Sequence, residues 1–175
     1  VDWGDTPTAT DSGVTGNITH TYAAGAGEYE IKISGTFPRI YFNNTNDDTK
    51  LLEIVNWGTN EWTNMERAFW GCSNMDITAT DEGDFTNATS WSRTFQNCSS
   101  LTTTGLSANW LSSNATACTT MLFNCNSLTT CDVSNWDTSN VTTFNQAFYN
   151  LDGLTTLDVS NWDTGNVENF YGCFW

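Results

Sequence analysis

The sequence predicts a repeat solenoid in which one short strand and one helical turn recur about every 26 residues. The segment that starts at Trp136 aligns with the segment that starts at Trp162 without a gap, and every apolar position matches. In each unit a polar turn precedes an apolar stripe at spacing i, i+3 and i+7, which is typical of one face of a helical turn. Because no single unit buries its own stripe, stacked neighbours must form the core.

The apolar stripe can be followed through five units. Its members are Trp62, Met65 and Phe69; Ala88, Trp91 and Phe95; Ala115, Cys118 and Leu122; Val141, Phe144 and Phe148; and Val167, Phe170 and Phe174. The fifth unit stops inside its stripe, so the sequence predicts an incomplete last unit. The predicted domain organisation is therefore a separate segment over residues 1–50 and a solenoid of about five units over residues 51–175.

The other half of each unit predicts a strand. Leu154 to Ser160 reads L-T-T-L-D-V-S, Leu128 to Ser134 reads L-T-T-C-D-V-S, and a shorter echo runs from Leu52 to Ile54. Alternation of apolar and polar residues indicates a half-buried strand. Apolar residues in L-x-x-L-x-L order within units of 20 to 29 residues are typical of a leucine-rich repeat.

Several short motifs resemble a known family. They are A-F-x5-L at Ala147, Phe148 and Leu154, F-x-x-C-x-x-L at Phe95, Cys98 and Leu101, and D-V-S-N-W-D-T at 132–138 and 158–164. These repeats are similar to the BspA-like leucine-rich repeats of bacterial surface proteins. The resemblance implies a solenoid, display at the cell surface and a role in adhesion or protein binding, and it implies no chemistry. Thr78 and Thr104 stand where the family usually has Leu.

Residues 1–50 differ from the repeats. The motifs W-G-D at Trp3 to Asp5, H-x-Y at His20 to Tyr22 and G-x-Y-x-I-x-I at Gly27 to Ile33 resemble the second half of a PKD-type β-sandwich. The resemblance implies an all-β segment that acts as a spacer or adhesive unit on a secreted protein. The residues themselves predict strands at 29–34 and 39–42, separated by Gly35 and Pro38.

The composition narrows the partners and the location. A net charge of -15 repels the phosphates of nucleic acid and of anionic lipid, and no apolar run is long enough to insert into a membrane. A surface rich in Thr, Asn and Ser favours an extracellular or cell-surface protein. Six Asn-x-Ser/Thr triplets are candidate glycosylation sites, although an Asn- and Thr-rich repeat also produces them by chance: Asn17, Asn43, Asn87, Asn97, Asn114 and Asn140.

No constellation for catalysis is visible, so the sequence predicts no enzyme, no catalytic residue and no cofactor-binding residue. His20 is the single histidine and belongs to a predicted strand. The candidate carboxylates recur at equivalent positions, which favours structure over a unique active site. Asp137 in W-D-T-S-N is expected to accept backbone N–H bonds in a turn. The alternative is Ca²⁺ between stacked aspartates about 5 Å apart, but no Gly-rich Asp nonapeptide is present.

Six cysteines invite disulfides in an extracellular chain. Cys72, Cys98 and Cys125 share one position in consecutive units and should form a ladder. The sequence favours mostly buried thiols, with Cys72–Cys98 as the candidate disulfide.

The predicted function is an extracellular structural or adhesive surface repeat protein that assembles head to tail into a filament. The expected assembly ends are Val1 and Trp3 on one side and Phe170, Phe174 and Trp175 on the other. The alternative is a monomeric surface adhesin that binds a protein or a glycan. That alternative predicts exposed aromatic residues on one face, with Trp70, Trp91 and Tyr149 as candidates, of which Trp91 is expected to pack inward.

Overall fold

A computed structural model describes residues 1–16, 18–37, 39–45, 47–102 and 110–175. The chain forms two compact units, Val1–Phe37 and Pro38–Trp175. Regular elements in the described residues are a 3-10 helix over Asp48–Lys50 and two strands, β1 (Glu53–Ile54) and β2 (Asp76–Ile77). The strands pair in parallel, with Glu53 opposite Asp76 and Ile54 opposite Ile77. Most of the described chain therefore consists of turns and irregular segments.

Successive repeats in the Pro38–Trp175 unit are joined by a parallel ladder of backbone hydrogen bonds. The N–H groups of Met65, Arg67, Phe69 and Gly71 donate to the carbonyls of Ser90, Ser92, Thr94 and Gln96 at 2.9–3.0 Å. The same four bonds recur at the next three junctions, from donors that begin at Trp91, Cys118 and Phe144. We call each stacked segment a rung: residues 42–44 (the first, shorter rung), 65–72, 91–98, 118–125, 144–151 and 170–175, of which the last only accepts ladder bonds.

Two residues in each full rung adopt a left-handed backbone. In the rung 65–72 these are Arg67 (φ 56°) and Gly71 (φ 87°). The equivalent residues in the later rungs are Arg93 and Asn97, Thr120 and Asn124, Gln146 and Asn150, and Gly172. Between them the chain turns through bonds such as Ala68 N–H to Met65 O and Cys72 N–H to Phe69 O. Each rung is therefore a chain of tight turns.

The predicted leucine-rich-repeat solenoid with helical turns is wrong. None of the described residues forms an α-helix. The spacing i, i+3 and i+7 is produced by consecutive turns as well as by a helix, and the left-handed residues interrupt any helical run. Alternate N–H groups of a rung also bond to the next repeat instead of to the carbonyl four residues earlier. Of the predicted strands, only Glu53–Ile54 is realised, and neither 128–134 nor 154–160 forms one.

The predicted all-β, PKD-like sandwich over residues 1–50 is also wrong. The described part of Val1–Phe37 contains no strand, and its pairing is limited to single bridges from Asp2 to Thr10 and to Lys32. The motif residues do come together, but in an aromatic stack. Ring centroids are 4.9 Å apart for Trp3 and His20, 4.7 Å for His20 and Tyr22, and 3.8 Å for Tyr22 and Tyr29.

The core of the Pro38–Trp175 unit follows the predicted stripe. Its members from Trp62 to Phe148 are buried, whereas Phe170 and Phe174 are exposed. Trp110 lies at the centre of an aromatic cluster, with ring centroids 5.3–5.4 Å from those of Trp57, Phe85, Trp91 and Phe95. Such ring pairs add about 0.5–1.5 kcal/mol each beyond burial. Side-chain burial and the backbone ladder therefore act together to stack the repeats.

Candidate functional site

All three arginines of the chain lie on or just before neighbouring rungs. Arg67 and Arg93 occupy the same position of consecutive rungs, and the Arg67 N–H donates to the carbonyl of Ser92 at 2.9 Å. Paired parallel segments lie about 4.8 Å apart, so the two side chains start from adjacent points. Arg39 is placed beside them because the first rung, residues 42–44, bonds to residues 67–70.

Two aromatic rings hold the arginine side chains. The guanidinium carbons of Arg67 and Arg93 lie 5.8 and 5.7 Å from the ring centroid of Trp70, and that of Arg39 lies 4.4 Å from the ring of Tyr41. These distances are within the range of cation–π attraction. Tyr41 is 49% exposed. We call Arg39, Tyr41, Asn43, Arg67, Trp70 and Arg93 the arginine–aromatic patch.

The guanidinium groups of the patch are only partly satisfied. Arg67 Nη1 lies 3.4 Å from the Tyr41 hydroxyl and 3.3 Å from Asn43 Oδ1, which are long hydrogen bonds. Its Nε is 3.4 Å from a carboxylate oxygen of Glu66, and Arg39 donates to the Glu66 carbonyl at 3.2 Å. The Arg93 guanidinium makes no hydrogen bond or ion pair with any described residue.

The electrostatics of the patch differ from those of the chain. Three cations lie in the patch and Glu66 offers a carboxylate to one of them, Arg67, whereas the protein carries a net charge of -15. The two lysines lie elsewhere in ion pairs, Lys32 with Glu30 at 3.2 Å and Lys50 with Asp47 at 2.5 Å. Like charges on adjacent strands repel one another, and a guanidinium fork matches a carboxylate, sulfate or phosphate. The patch is therefore chemically suited to an anionic group.

The position of Trp70 continues as a surface row along the later rungs. Its members are Trp70, Gln96, Phe123, Tyr149 and Trp175. The rings of Phe123 and Tyr149 stack with centroids 4.9 Å apart and an angle of 8°. Of the predicted exposed aromatics, Trp70 and Tyr149 are half-buried members of this row, whereas Trp91 is fully buried. Sequence reasoning missed the arginines, although their spacing of one repeat next to Trp70 was a visible signal.

The cysteines predicted as a ladder are buried thiols. Cys98 Sγ donates to the carbonyl of Phe69 and Cys125 Sγ to that of Phe95, both at 3.1 Å. Burial raises the pKa of the Cys72 and Cys173 thiols to about 12 and that of Cys98 well above its usual range. Both Cys72 and Cys98 are free in the structure, and the disulfide between them stays a prediction for chemical measurement.

Several asparagines of the predicted glycosylation triplets bind the preceding repeat. Nδ2 of Asn87 donates to Glu61 Oε1 at 2.6 Å, that of Asn114 to Thr86 O at 2.8 Å, and that of Asn140 to Ser113 O at 2.9 Å. Asn97 Oδ1 accepts from Asn124 at 3.0 Å, Asn43 belongs to the patch, and Asn17 lies outside the described residues. Glycosylation of these residues stays a prediction.

The repeated aspartates bind their own turns. Asp132 Oδ1 accepts from the Ser134 N–H at 3.0 Å, and Asp158 Oδ1 from the Ser160 N–H at 2.9 Å. Hydrogen bonds from the serine side chain, and then from its backbone, lower the pKa of each carboxyl. An open groove of about 500 Å³ lies between the segments 130–132 and 156–158. In the described part of the chain, no three His, Cys, Asp or Glu side chains converge as metal ligands.

The residues predicted as assembly ends have different surroundings. The Val1 amino group donates to Asp11 O and the Trp3 indole to Asp11 Oδ2, both at 2.7 Å. Phe170, Phe174 and Trp175 are 40%, 54% and 71% exposed. The backbone N–H groups of Phe170, Gly172 and Phe174, which stand at donor positions of their rung, make no hydrogen bond with described residues.

A family comparison covers the stacked repeats. The family model described as "Mycoplasma protein of unknown function, DUF285" matches residues 38–130 and again residues 89–175. The two matches together span more than three quarters of the chain. The chain belongs to the DUF285 family. The DUF285 matches coincide with the compact unit Pro38–Trp175, and the second starts about two repeats after the first, so the family model itself spans several repeats.

The other comparisons add no relative. No curated protein and no solved structure shows significant similarity to this DUF285 chain. None of the helices found in the described ranges has the length and apolar character needed to cross a bilayer.

Proposed function

We propose that this DUF285 protein is an extracellular surface repeat protein that adheres to a partner through the arginine–aromatic patch. The observation that carries the proposal is the concentration of all three arginines around Tyr41 and Trp70 on a chain of net charge -15. The Mycoplasma family description and the resemblance to BspA-like surface repeats support display on a bacterial surface. Stacked repeats that hold a few exposed side chains in fixed register suit presentation to a partner.

The same proposal assigns no enzymatic activity. Nε2 of His20 lies 2.8 Å from Asp5 Oδ2, and its ring packs between Trp3 and Tyr22, which accounts for its contacts structurally. Burial raises the pKa of the Cys72, Cys98 and Cys173 thiols, and a protonated buried thiol is a poor nucleophile. The repeated aspartates are engaged in turns. A binding role is therefore favoured over chemistry.

The adhesive role can be tested with a double variant, Arg67→Gln with Arg93→Gln. Gln is a suitable replacement because Gln146 occupies the same left-handed position in a later rung. The fluorescently labelled protein is applied to a cultured epithelial monolayer, beside Lys50→Gln as a control that removes one charge outside the patch. We expect the double variant to bind at least about tenfold more weakly, since a hydrogen bond to a charged group contributes about 1.5–3 kcal/mol. Equal binding of the double variant and the wild type would contradict the proposal.

We also propose head-to-tail self-association as a second function, on a separate observation. The rung 170–175 presents exposed aromatic rings and unbonded N–H donors, as described above. In the same register, the carbonyls of Arg39 and Tyr41 stand at acceptor positions, and no described residue of the Pro38–Trp175 unit donates to them. A second copy stacked in parallel would pair the Gly172 N–H with Arg39 O and the Phe174 N–H with Tyr41 O.

Self-association is tested by size-exclusion chromatography with light scattering and by negative-stain microscopy over a range of concentrations. We expect oligomers that lengthen with concentration, and we expect Phe174→Asp to dissociate them because it places a charge in the stacked interface. Thr142→Asp serves as the control, since Thr142 is exposed on an interior repeat. Monomers of 19.4 kDa at every concentration would rule out this second proposal and leave the adhesive one untouched.

A further inference from the structure

We infer that the arginine–aromatic patch binds a saccharide that carries a single carboxylate. The inference rests on the proposed adhesive function and names the ligand class of the same surface. It depends on three features of the patch, which are an unpaired guanidinium, the acidic surroundings and the arrangement of neutral polar and aromatic groups.

The unpaired guanidinium indicates an anionic ligand. Arg93 has no polar partner in the described part of the chain. The polar contacts of the Arg67 guanidinium are all long, with hydrogen bonds of 3.3 and 3.4 Å and an ion pair with Glu66 at 3.4 Å. The two arginines share one position on adjacent rungs, so a single carboxylate can be reached by both forks. Both guanidiniums lie within 6 Å of the Trp70 ring centroid. This contact already restricts the two side chains, so they lose less conformational entropy when a ligand binds.

The surrounding charge favours a ligand with one anionic group over a polyanion. The whole chain, with the three patch arginines included, carries fifteen more acidic than basic groups. A polymer of sulfates or phosphates that extended beyond the three arginines would meet this negative potential, whereas a neutral chain that ends in one carboxylate would not. Salt should therefore weaken binding only modestly, because few ion contacts form.

Neutral polar and aromatic groups around the arginines suit the uncharged part of such a saccharide, its hydroxyl and C–H groups. The Tyr41 hydroxyl and the Asn43 amide border Arg67. Gln96 follows Trp70 in the surface row, and its Oε1 accepts from Thr120 at 3.1 Å, which leaves its amide nitrogen without a hydrogen bond to described residues. Hydroxyl groups of a saccharide suit these donors and acceptors, and the exposed ring of Tyr41 and the half-buried ring of Trp70 offer apolar contact to its C–H groups.

The experiment uses the full chain with ¹⁵N-labelled tryptophan and follows the Trp70 indole N–H by NMR. This N–H is a suitable reporter because it belongs to the ring that the guanidiniums of Arg67 and Arg93 approach. Trp70 Nε1 is buried without a hydrogen-bond partner in the described residues, and Trp70→Phe assigns its signal. The probes are 3′-sialyllactose, which carries one carboxylate, and lactose, which carries none. We expect sialyllactose to shift the signal at concentrations at least about tenfold lower than lactose, in line with the contribution of a charged hydrogen bond.

Variants locate the carboxylate. Arg93→Gln should weaken sialyllactose binding to the level of lactose, and Arg93→Lys should fall between them because lysine keeps the charge without the fork. Lys50→Gln should bind like the wild type. Thermal melts of each variant confirm folding, and Gln146 at the equivalent position shows that the rung accommodates Gln.

Three results would overturn the inference. Lactose could bind as tightly as sialyllactose, Arg93→Gln could leave binding unchanged, or hexaglutamate or heparin could bind more tightly than sialyllactose, which would indicate an acidic peptide or a polyanion. If the cell-binding assay still depends on Arg67 and Arg93 while the saccharides fail, the ligand class is wrong and the adhesive function stands. If the cell-binding assay shows no dependence on them, the proposed function itself fails.

Discussion

Asn124 allows the turn structure of the rungs to be tested against a helix. This residue has φ 61°, and its side chain bridges two neighbours. Asn124 Nδ2 donates to Asn97 Oδ1 at 3.0 Å, and its Oδ1 accepts from Asn150 Nδ2 at 2.9 Å. We compare Asn124→Gly with Asn124→Ala. Both remove the two side-chain hydrogen bonds, but only glycine tolerates the left-handed backbone, and Gly71 occupies the same position in the rung 65–72.

The expected losses follow from these contacts. Two hydrogen bonds of about 1 kcal/mol each predict that Asn124→Gly lowers the free energy of unfolding by about 2 kcal/mol. Asn124→Ala adds about 1 kcal/mol for a Cβ in the left-handed region, for a total of about 3 kcal/mol. Urea unfolding followed by tryptophan fluorescence measures both values, provided that the m-values agree.

The sign of the difference in unfolding free energy between the two variants distinguishes left-handed turns from a helix. In a helical rung alanine would be more stable than glycine by about 1 kcal/mol, which is opposite to the order expected here. A finding that Asn124→Ala is at least as stable as Asn124→Gly would refute the left-handed turn and restore the helical prediction. Exposed Ser127→Ala and Ser127→Gly, in the loop that follows the rung, control for a general effect of glycine on the unfolded chain.

Three further predictions concern other parts of the chain. Because burial raises the pKa of Cys72 to about 12, its thiol should resist iodoacetamide at pH 8 and react in urea. Intact mass after alkylation in urea without reductant also tests for a Cys72–Cys98 disulfide, which would lower the number of alkylated cysteines by two. The lowered pKa values of Asp132 and Asp158 predict stability that is present above their ordinary pKa of 3.8 and is lost as the pH falls through the lowered values. Thermal melts from pH 6 to 2 should show this loss, and it should be smaller in the double variant Asp132→Asn with Asp158→Asn. Trp110→Ala should lower the free energy of unfolding by about 3–5 kcal/mol, because a fully buried ring is removed; a loss under 1 kcal/mol in urea unfolding would contradict the central aromatic cluster.

The sequence predicted which residues are buried better than it predicted their backbone. Repeat spacing places Phe69 and Phe95 in register whatever the local conformation, and their rings do stack at 5.5 Å. The backbone conformation of each full rung depended on its two left-handed residues. One of these positions holds glycine or asparagine in successive rungs, which is typical of left-handed backbone: Gly71, Asn97, Asn124 and Asn150. The other position carries arginine, threonine and glutamine in the full rungs, and glycine occurs there only at Gly172, so those four rungs had no such signal.

The candidate site was missed for a related reason. Arg67 and Arg93 are unremarkable as separate residues of an acidic chain, and only the repeat register places them side by side. Arg39 was harder to find, because it lies in a stretch that was assigned to a separate segment, whereas residues 42–44 bond to residues 67–70 as the first rung. The proximity of Arg39 to Arg67 and Arg93 therefore depends on a backbone contact that no sequence motif marks.

Within a rung, the residues that stack the repeats differ from those that form the surface, so the surface of this fold can vary. Stacking is maintained by backbone N–H groups and by inward side chains such as Phe95, neither of which depends on the outward residues. The row that begins at Trp70 can consequently hold glutamine, phenylalanine or tyrosine in later rungs without a change in the ladder. Since equivalent residues always lie about 4.8 Å apart, two matching substitutions one repeat apart are enough to create a paired site. Arg67 and Arg93 are such a pair, so changing these two positions together would alter the proposed site without changing the backbone ladder.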